Sequence, residues 1–363
     1  MIIQAASCKR KSRFFDQLTV EFSGSQAEMT KLLGLLKQQN VCFSRAGKKV
    51  TAELATASLK RLIACWKTVF GTPSEDLEKI LQDSRVFFKG RDFSFDVTTD
   101  PLIYSILNIT PDSFYDGGVN ADLKTVLQRV EQEISAGAAI FELGGKSSKP
   151  NFTEISAAEE WARIAPYIKE LKKNFPGIIL AVDSNTDSVV ARALAAGVQI
   201  INDIDGFQSK KKLELVREYT PAVVTMFNGR NQAEQKPTFS TDLKDYFSNS
   251  IKKLQAHGLS AANIVIDPGV GFSNTKVLEF DLLKISSVNL LAELNTPIMI
   301  AVSRKSFISK LLAVEPAERL LPTLLFENEM LQQGGRILRV HDVKETQQMI
   351  KVYQLCRQTL EVK

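Results

Sequence analysis

The chain is 363 residues long, 44% hydrophobic and 24% charged, with a formal net charge of +5. That is the composition of a globular protein with a sizeable core and more length than one average domain. So small a charge leaves no electrostatic footprint for nucleic acid, while a mild surplus of Lys and Arg suits an anionic small substrate.

No run approaches the roughly 18 apolar residues of a membrane span. The N-terminus starts apolar and turns basic at Lys9, Arg10, Lys11 and Arg13, the reverse of a signal peptide. Cys8, Cys42, Cys65 and Cys356 are scattered without a CxxC pair and read as reduced thiols, which predicts a cytoplasmic protein. Two histidines, His257 and His341, are too few for a His-rich zinc centre.

In chain order, Leu18, Val20 and Phe22 alternate as a half-buried strand does. Ser25 and Glu28 form a capping box for a helix whose Met29, Leu32, Leu33 and Leu36 share a face. A strand is expected within 41–54. A second helix carries Leu59, Leu62, Ile63 and Trp66 and stops at Gly71-Thr72-Pro73. Ser74 caps a third helix running to about Asp83. Val86 and Phe88, then Phe93, Phe95 and Val97, predict a hairpin turning near Lys89-Gly90. Residues 1–84 therefore read as a small α+β domain without a clustered catalytic signature, a scaffold or a modulator of dimerisation. The hairpin at 85–98 opens a second domain, 85–363.

From residue 102 the pattern becomes regular. Apolar runs fall at 102–107, 139–143, 178–182, 199–201, 222–226, 263–266, 297–302 and 336–340, with helix-length amphipathic segments such as 122–136, 156–174, 186–196, 241–257 and 342–360 between them. Eight strands alternating with helices predict a (β/α)8 barrel. An open doubly wound sheet would carry a Gly-rich dinucleotide turn after its first strand; here that strand ends in Asn108, then a polar loop with Pro111, Phe114 and Gly117-Gly118.

Barrel strands converge at their carboxyl ends, where catalytic groups collect. Those ends carry Asn108, Glu142, Asp183, Asn202 with Asp203, Met226, Asp267, Ser303-Arg304-Lys305, and Arg339 with His341. Acids and amides come from the early and middle strands, cations from the last two. The loops after strands 7 and 8 are the usual phosphate site of such barrels, and Arg offers forked donors to phosphate. Taken singly, His341 could pair with Asp342 and Asn202 could cap the next helix.

Seven ordered motifs sit at these ends: LNITPDSFYDGG (107–118), ELGGKSSKP (142–150), AVDS (181–184), INDIDG (201–206), IDPGVGF (266–272), VSRKSF (302–307) and RVHDV (339–343). Over residues 85–361 the chain resembles the dihydropteroate synthases, the folate-pathway transferases among the pterin-binding TIM barrels. The resemblance implies condensation of 6-hydroxymethyl-7,8-dihydropterin diphosphate with p-aminobenzoate, giving dihydropteroate and pyrophosphate. It implies pterin contacts from Asp183, Asn202 and Asp267, Lys305 on the carbonyl side, and apolar walls from Met226 and Phe272. Arg339 and His341 would hold the departing pyrophosphate, with Ser303, Ser148 and Lys149 on the substrate side. Asn108 matches the Mg2+-contacting position, and the Phe114 loop would close over the p-aminobenzoate pocket. A homodimer formed through barrel helices and sensitivity to sulfonamides belong to the same expectation.

The second loop departs from the family. Lys146-Ser147-Ser148-Lys149-Pro150 stands where Glu-Ser-Thr-Arg-Pro is usual, Glu142 replaces an Asp, and Lys146 and Lys149 should repel until an anion arrives. Two alternatives stay open: a methyltetrahydrofolate-dependent methyltransferase on the same barrel, and a non-catalytic pterin binder.

Overall fold

The computed structural model describes residues 1–5, 17–109, 122–146, 154–229, 239–273 and 279–362. Its first unit holds β1 (Ile2–Ala5), β2 (Gln17–Ser23), α1 (Gln26–Gln38), β3 (Cys42–Ala46), β4 (Lys49–Ala55), α2 (Thr56–Phe70) and α3 (Glu75–Asp83). The strands form an antiparallel sheet in the order β1-β2-β4-β3. Leu18, Val20 and Phe22 of β2 lie opposite Leu54, Ala52 and Val50 of β4, so both strands turn one apolar row inward. Helix α1 starts at the Ser25–Glu28 capping box, and α2 ends at Gly71 with φ +84°. Together they enclose a hydrophobic cluster containing Met29, Leu32, Leu36, Leu59, Leu62 and Trp66. The stretch 41–54 is a hairpin rather than one strand, because Gly47 takes a positive φ of 61° between β3 and β4.

A second hairpin, β5 (Phe87–Gly90) and β6 (Phe93–Asp96), turns at Arg91-Asp92, two residues beyond the predicted point. Phe88 faces inward and joins Val86 and Val97 against Tyr104, Ile140, Ala181, Ile200, Val224 and Val265. The hairpin thus seals the amino end of the barrel.

The barrel follows as β7 (Leu102–Asn108), α4 (Leu123–Ser135), β8 (Ala138–Gly144), α5 (Ala157–Asn174), β9 (Leu180–Asp183), α6 (Asp187–Ala195), β10 (Ile200–Asp203), α7 (Lys210–Tyr219), β11 (Ala222–Met226), α8 (Phe239–Gln255), β12 (Ile264–Asp267), α9 (Glu279–Ser286), α10 (Val288–Leu291), β13 (Met299–Ile300), α11 (Ser306–Leu312), α12 (Leu320–Gln332), β14 (Ile337–Val340) and α13 (Val343–Val362). The eight strands run parallel in the order β12-β11-β10-β9-β8-β7-β14-β13. A parallel bridge between Ile266 and Ile298 closes the ring. All eight expected strands are present.

Strand parity separates two layers. Inward positions hold Tyr104, Ile140, Ala181, Ile200, Val224, Val265, Met299 and Ile337. Outward ones, such as Leu107, Leu143, Val182, Ile201, Ile266 and Leu338, belong to the large cluster under the helices. With a side-chain period of two, Glu142, Asp183, Asn202, Met226, Asp267 and Arg339 share the inward parity and face the barrel mouth. Asp203 has the other parity. It points outward and takes Lys212 Nζ of α7 at 2.6 Å and the Phe207 N–H at 2.7 Å, which makes it a support of the β10–α7 turn. Among the described residues, no helix is long and apolar enough to cross a membrane.

Candidate active site

Glu142, only 1% exposed, is the hub of the barrel mouth. Its Oε1 accepts both Nε, at 2.8 Å, and Nη2 of Arg339. Its Oε2 accepts the Tyr104 hydroxyl at 2.7 Å and Asn202 Nδ2 at 2.9 Å. Arg339 Nη2 also reaches Asp183 Oδ2 at 2.9 Å. Five strands, β7, β8, β9, β10 and β14, therefore meet in one hydrogen-bonded group. Two carboxylates share a single guanidinium there, and Glu142 in particular would otherwise be a costly buried charge. Burial first, then the neighbouring Glu142 carboxylate, push Asp183 up to about 7, with Arg339 opposing them.

The opposite wall is built on the loop after β12. Asp267 Oδ1 accepts the Gly269 N–H at 2.8 Å. Gly269 has φ +72°, and a Cβ there would fall 2.0 Å from the Phe227 carbonyl oxygen, so only glycine lets the chain turn this tightly. Lys305, just beyond β13, donates to the Val270 carbonyl at 2.6 Å and lies 4.8 Å over the Phe272 ring. Burial pushes its ammonium down to about 8, opposed by the Asp267 carboxylate. Met226 and Phe272 are buried at 4% and 8% exposure, beside the loop and beneath the lysine.

A third contact joins the last two loops: the His341 N–H donates to Ser303 Oγ at 3.2 Å. Burial takes the His341 imidazole down to about 3. Asp342 opposes this, while Arg129, Arg339 and Arg304 reinforce it, so the ring is neutral at physiological pH. Both oxygens of Asp342 are held by Arg304, at 2.6 and 2.8 Å.

Residues 104–341 match the family of pterin-binding enzymes. The chain belongs to that family. It is 33% identical over 261 residues to the dihydropteroate synthase of Streptococcus pyogenes, covering 71% of this chain and 96% of the relative. The Yersinia pestis dihydropteroate synthase, solved with a sulfonamide drug, superposes with a TM-score of 0.69 at 30% identity, covering 75% of this chain and 99% of that one. The Xanthomonas albilineans dihydropteroate synthase, solved with 4-aminobenzoic acid, gives a TM-score of 0.68 at 27% identity, covering 76% and 98%.

In this pterin-binding barrel Asp183, Asn202 and Arg339 sit in one group through Glu142, while Met226, Asp267, Phe272 and Lys305 line the other wall. Ser303 and His341 join across the last two loops. Asn202 donates to Glu142, and α7 is capped by Ser209 instead. Phe114, Ser148 and Lys149 lie outside the described residues. Lys146 Nζ donates to Asn185 Oδ1 at 2.8 Å, and Asn185 donates on to Asp205 at 2.8 Å; the expected repulsion between Lys146 and Lys149 involves a residue outside the described ones. An amide and an acid from the next two loops thus hold the reversed charge. Sequence reasoning missed two site residues. Tyr104 passed as one more apolar residue of β7, although its hydroxyl has the inward parity. Glu142 passed as a variant strand end, although its reach lets it gather Tyr104, Asn202 and Arg339.

Asn108, at the mouth end of β7, is partly exposed, and its Oδ1 lies 3.5 Å from where a Cβ on Gly144 would stand. No group of three or more His, Cys, Asp or Glu side chains among the described residues could cage an ion. One neutral oxygen fits Mg2+ that takes its other ligands from a diphosphate and water.

Proposed function

We propose that this chain is a dihydropteroate synthase: it joins 6-hydroxymethyl-7,8-dihydropterin diphosphate to p-aminobenzoate and releases pyrophosphate. The observation that carries the reading is the two-walled mouth, with Asp183, Asn202 and Asp267 facing inward beside the cations Lys305 and Arg339. A reduced pterin presents an edge of adjacent N–H donors and a carbonyl. Asp267 accepts from the donor edge, Asn202 and Asp183 take the far side of the ring, and Lys305 swings from the Val270 carbonyl to the pterin carbonyl. Met226 and Phe272 cover the ring faces.

Breaking the methylene–oxygen bond leaves positive charge on carbon and negative charge on the departing diphosphate. The carboxylates of Asp183 and Asp267 stabilise the first. Arg339 Nη1, which makes no hydrogen bond among the described residues, and the neutral His341 receive the second. Asn108 would hold Mg2+, which when bound neutralises diphosphate oxygens. The aromatic amine of p-aminobenzoate is nucleophilic near neutral pH, so no general base is required. Once its carbon–nitrogen bond has replaced the carbon–oxygen bond, it gives up one proton to water or to the released pyrophosphate. A sulfonamide, shaped like p-aminobenzoate, then competes for the same place. The reading is tested by pyrophosphate release that depends on p-aminobenzoate.

Three expectations follow from the residues. First, pterin affinity should be bell-shaped in pH. It rises as Asp183 loses its proton through about 7 and falls as Lys305 loses its own above about 8. Calorimetry across pH 5.5–9.5 checks both limbs, and Asp183→Asn should remove the lower one. Second, Lys149 supplies a point charge where the family has a guanidinium. Lys149→Ala should raise the KM of p-aminobenzoate or lower kcat by about tenfold, and Lys149→Arg should match or exceed the parent; parental kinetics for Lys149→Ala would remove it from the site. Third, the chain forms a homodimer through the faces of α12 and α13, where Leu321, Leu325, Val352 and Leu355 are more than 60% exposed. Leu321→Glu with Leu325→Glu should halve the mass seen by light scattering. Free Cys42, Cys65 and Cys356 support a reducing, cytoplasmic setting.

A further inference from the structure

Lys284 of α9 is wholly buried, one of the largest side chains in the protein with no solvent contact. It lies beside the loop of residues 267–273 that forms one wall of the site. Its Nζ donates to the Gly269 carbonyl at 2.7 Å, stands 3.7 Å from Asp281 Oδ1 and lies 5.6 Å from the centre of the Phe227 ring. Asp281, 4% exposed, accepts from the same loop: the Gly271 N–H at 2.9 Å and the Ser273 hydroxyl at 2.7 Å. One helix thus holds a donor and an acceptor on alternate residues of one turn-rich strip.

The strip needs external support. Gly269 and Gly271 have φ of +72° and +83°, so neither residue resists backbone rotation by sterics of its own. Within the strip, Asp267 binds Gly269 N–H and Lys305 binds the Val270 carbonyl. Lys305 must leave the Val270 carbonyl when a pterin arrives, and Asp267 then shares its carboxylate between Gly269 and the ring. Asp281 and Lys284 bind Gly269, Gly271 and Ser273 from behind and are not needed by the ligand.

We propose that Asp281 and Lys284 are positioning residues for pterin recognition, a buried pair that keeps residues 269–273 in place while Asp267 and Lys305 engage the ring. This rests on the reading of Asp267, Phe272 and Lys305 as the pterin wall. A buried ion pair is a poor source of stability, since apolar side chains of similar volume often replace one without loss. A backbone held to tolerances near half an ångström is what such a pair can supply to a binding site.

The test is Asp281→Leu/Lys284→Met in the full chain, titrated with 6-hydroxymethylpterin and assayed with both substrates. The proposal expects the pterin Kd and the KM of the pterin diphosphate to rise at least tenfold. The KM of p-aminobenzoate should stay within twofold and the melting temperature within a few degrees. The two charges act on Lys305 in opposite senses, so removing both should move the alkaline limb little. A raised Kd with an unmoved limb marks a positional effect. Should the double variant fail to fold, Ser273→Ala removes one tether at a partly exposed residue and should raise the pterin Kd two- to fivefold. Pterin affinity unchanged in a folded double variant, or in Ser273→Ala where only that variant folds, overturns the proposal. A parent that binds no pterin overturns the reading of the wall itself, and this proposal with it.

Discussion

Asp267→Asn leaves the fold intact and costs the enzyme at least about a hundredfold in pterin affinity. The amide is isosteric, and its oxygen can still accept the Gly269 N–H that Asp267 Oδ1 holds at 2.8 Å, so the β12 loop keeps its turn. What changes is the face toward the ligand. A carboxylate accepting two N–H bonds is replaced there by an NH2 pointing at donors. Charge-assisted bonds are each worth roughly 1.5–3 kcal/mol, and two of them amount to about two to four powers of ten in Kd. Calorimetry with 6-hydroxymethylpterin, alongside a melting curve, separates lost recognition from lost structure. Unchanged affinity would take Asp267 out of the site.

Arg339→Ala is expected to be worse than a lost phosphate contact. From sequence, an arginine at the end of strand 8 should matter for the diphosphate and spare the bare pterin. The geometry changes that expectation, because the same guanidinium holds Glu142 and Asp183. Removing it leaves two adjacent carboxylates without their cation, and breaking a buried pair costs about 3–5 kcal/mol. The variant should therefore melt well below the parent, bind bare pterin poorly and lose turnover beyond detection. Arg339→Lys restores the charge without the fork and should recover stability more than activity. Bare pterin binding at parental strength in Arg339→Ala would mean that Asp183 does not touch the ring.

Much of this was legible in the sequence, for a physical reason. Buried parallel strands read as short apolar runs, and a barrel delivers each run's final inward residue to one mouth. Asp183, Asn202, Asp267 and Arg339 therefore announce themselves as polar residues ending apolar stretches. Asp203 shows the limit of that rule: it ends a strand too, but one residue of parity sends it to Lys212 on the helix side. Tyr104 lay beyond the rule because its polar atom is at the tip of an otherwise apolar side chain in mid-strand. The Lys284–Asp281 pair was hidden differently. Its spacing of three on α9 looks like a solvated helical ion pair, and only the close packing of the Gly269–Ser273 strip against that face shows that it is buried. The reversed charge at Lys146 is legible as a departure from the family, but its partner Asn185, backed by Asp205, lies on other loops and could not be read from its neighbours.

The central claim is a condensation, and its product tests it most directly. Purified full-length chain is incubated with 6-hydroxymethyl-7,8-dihydropterin diphosphate, p-aminobenzoate and Mg2+, and the mixture is resolved by mass spectrometry. The account predicts 7,8-dihydropteroate and pyrophosphate in equal amounts, formed only when both substrates are present and lost with Asp267→Asn. A chain that binds the pterin diphosphate yet forms no dihydropteroate would contradict it, and would make this barrel a pterin binder rather than a synthase.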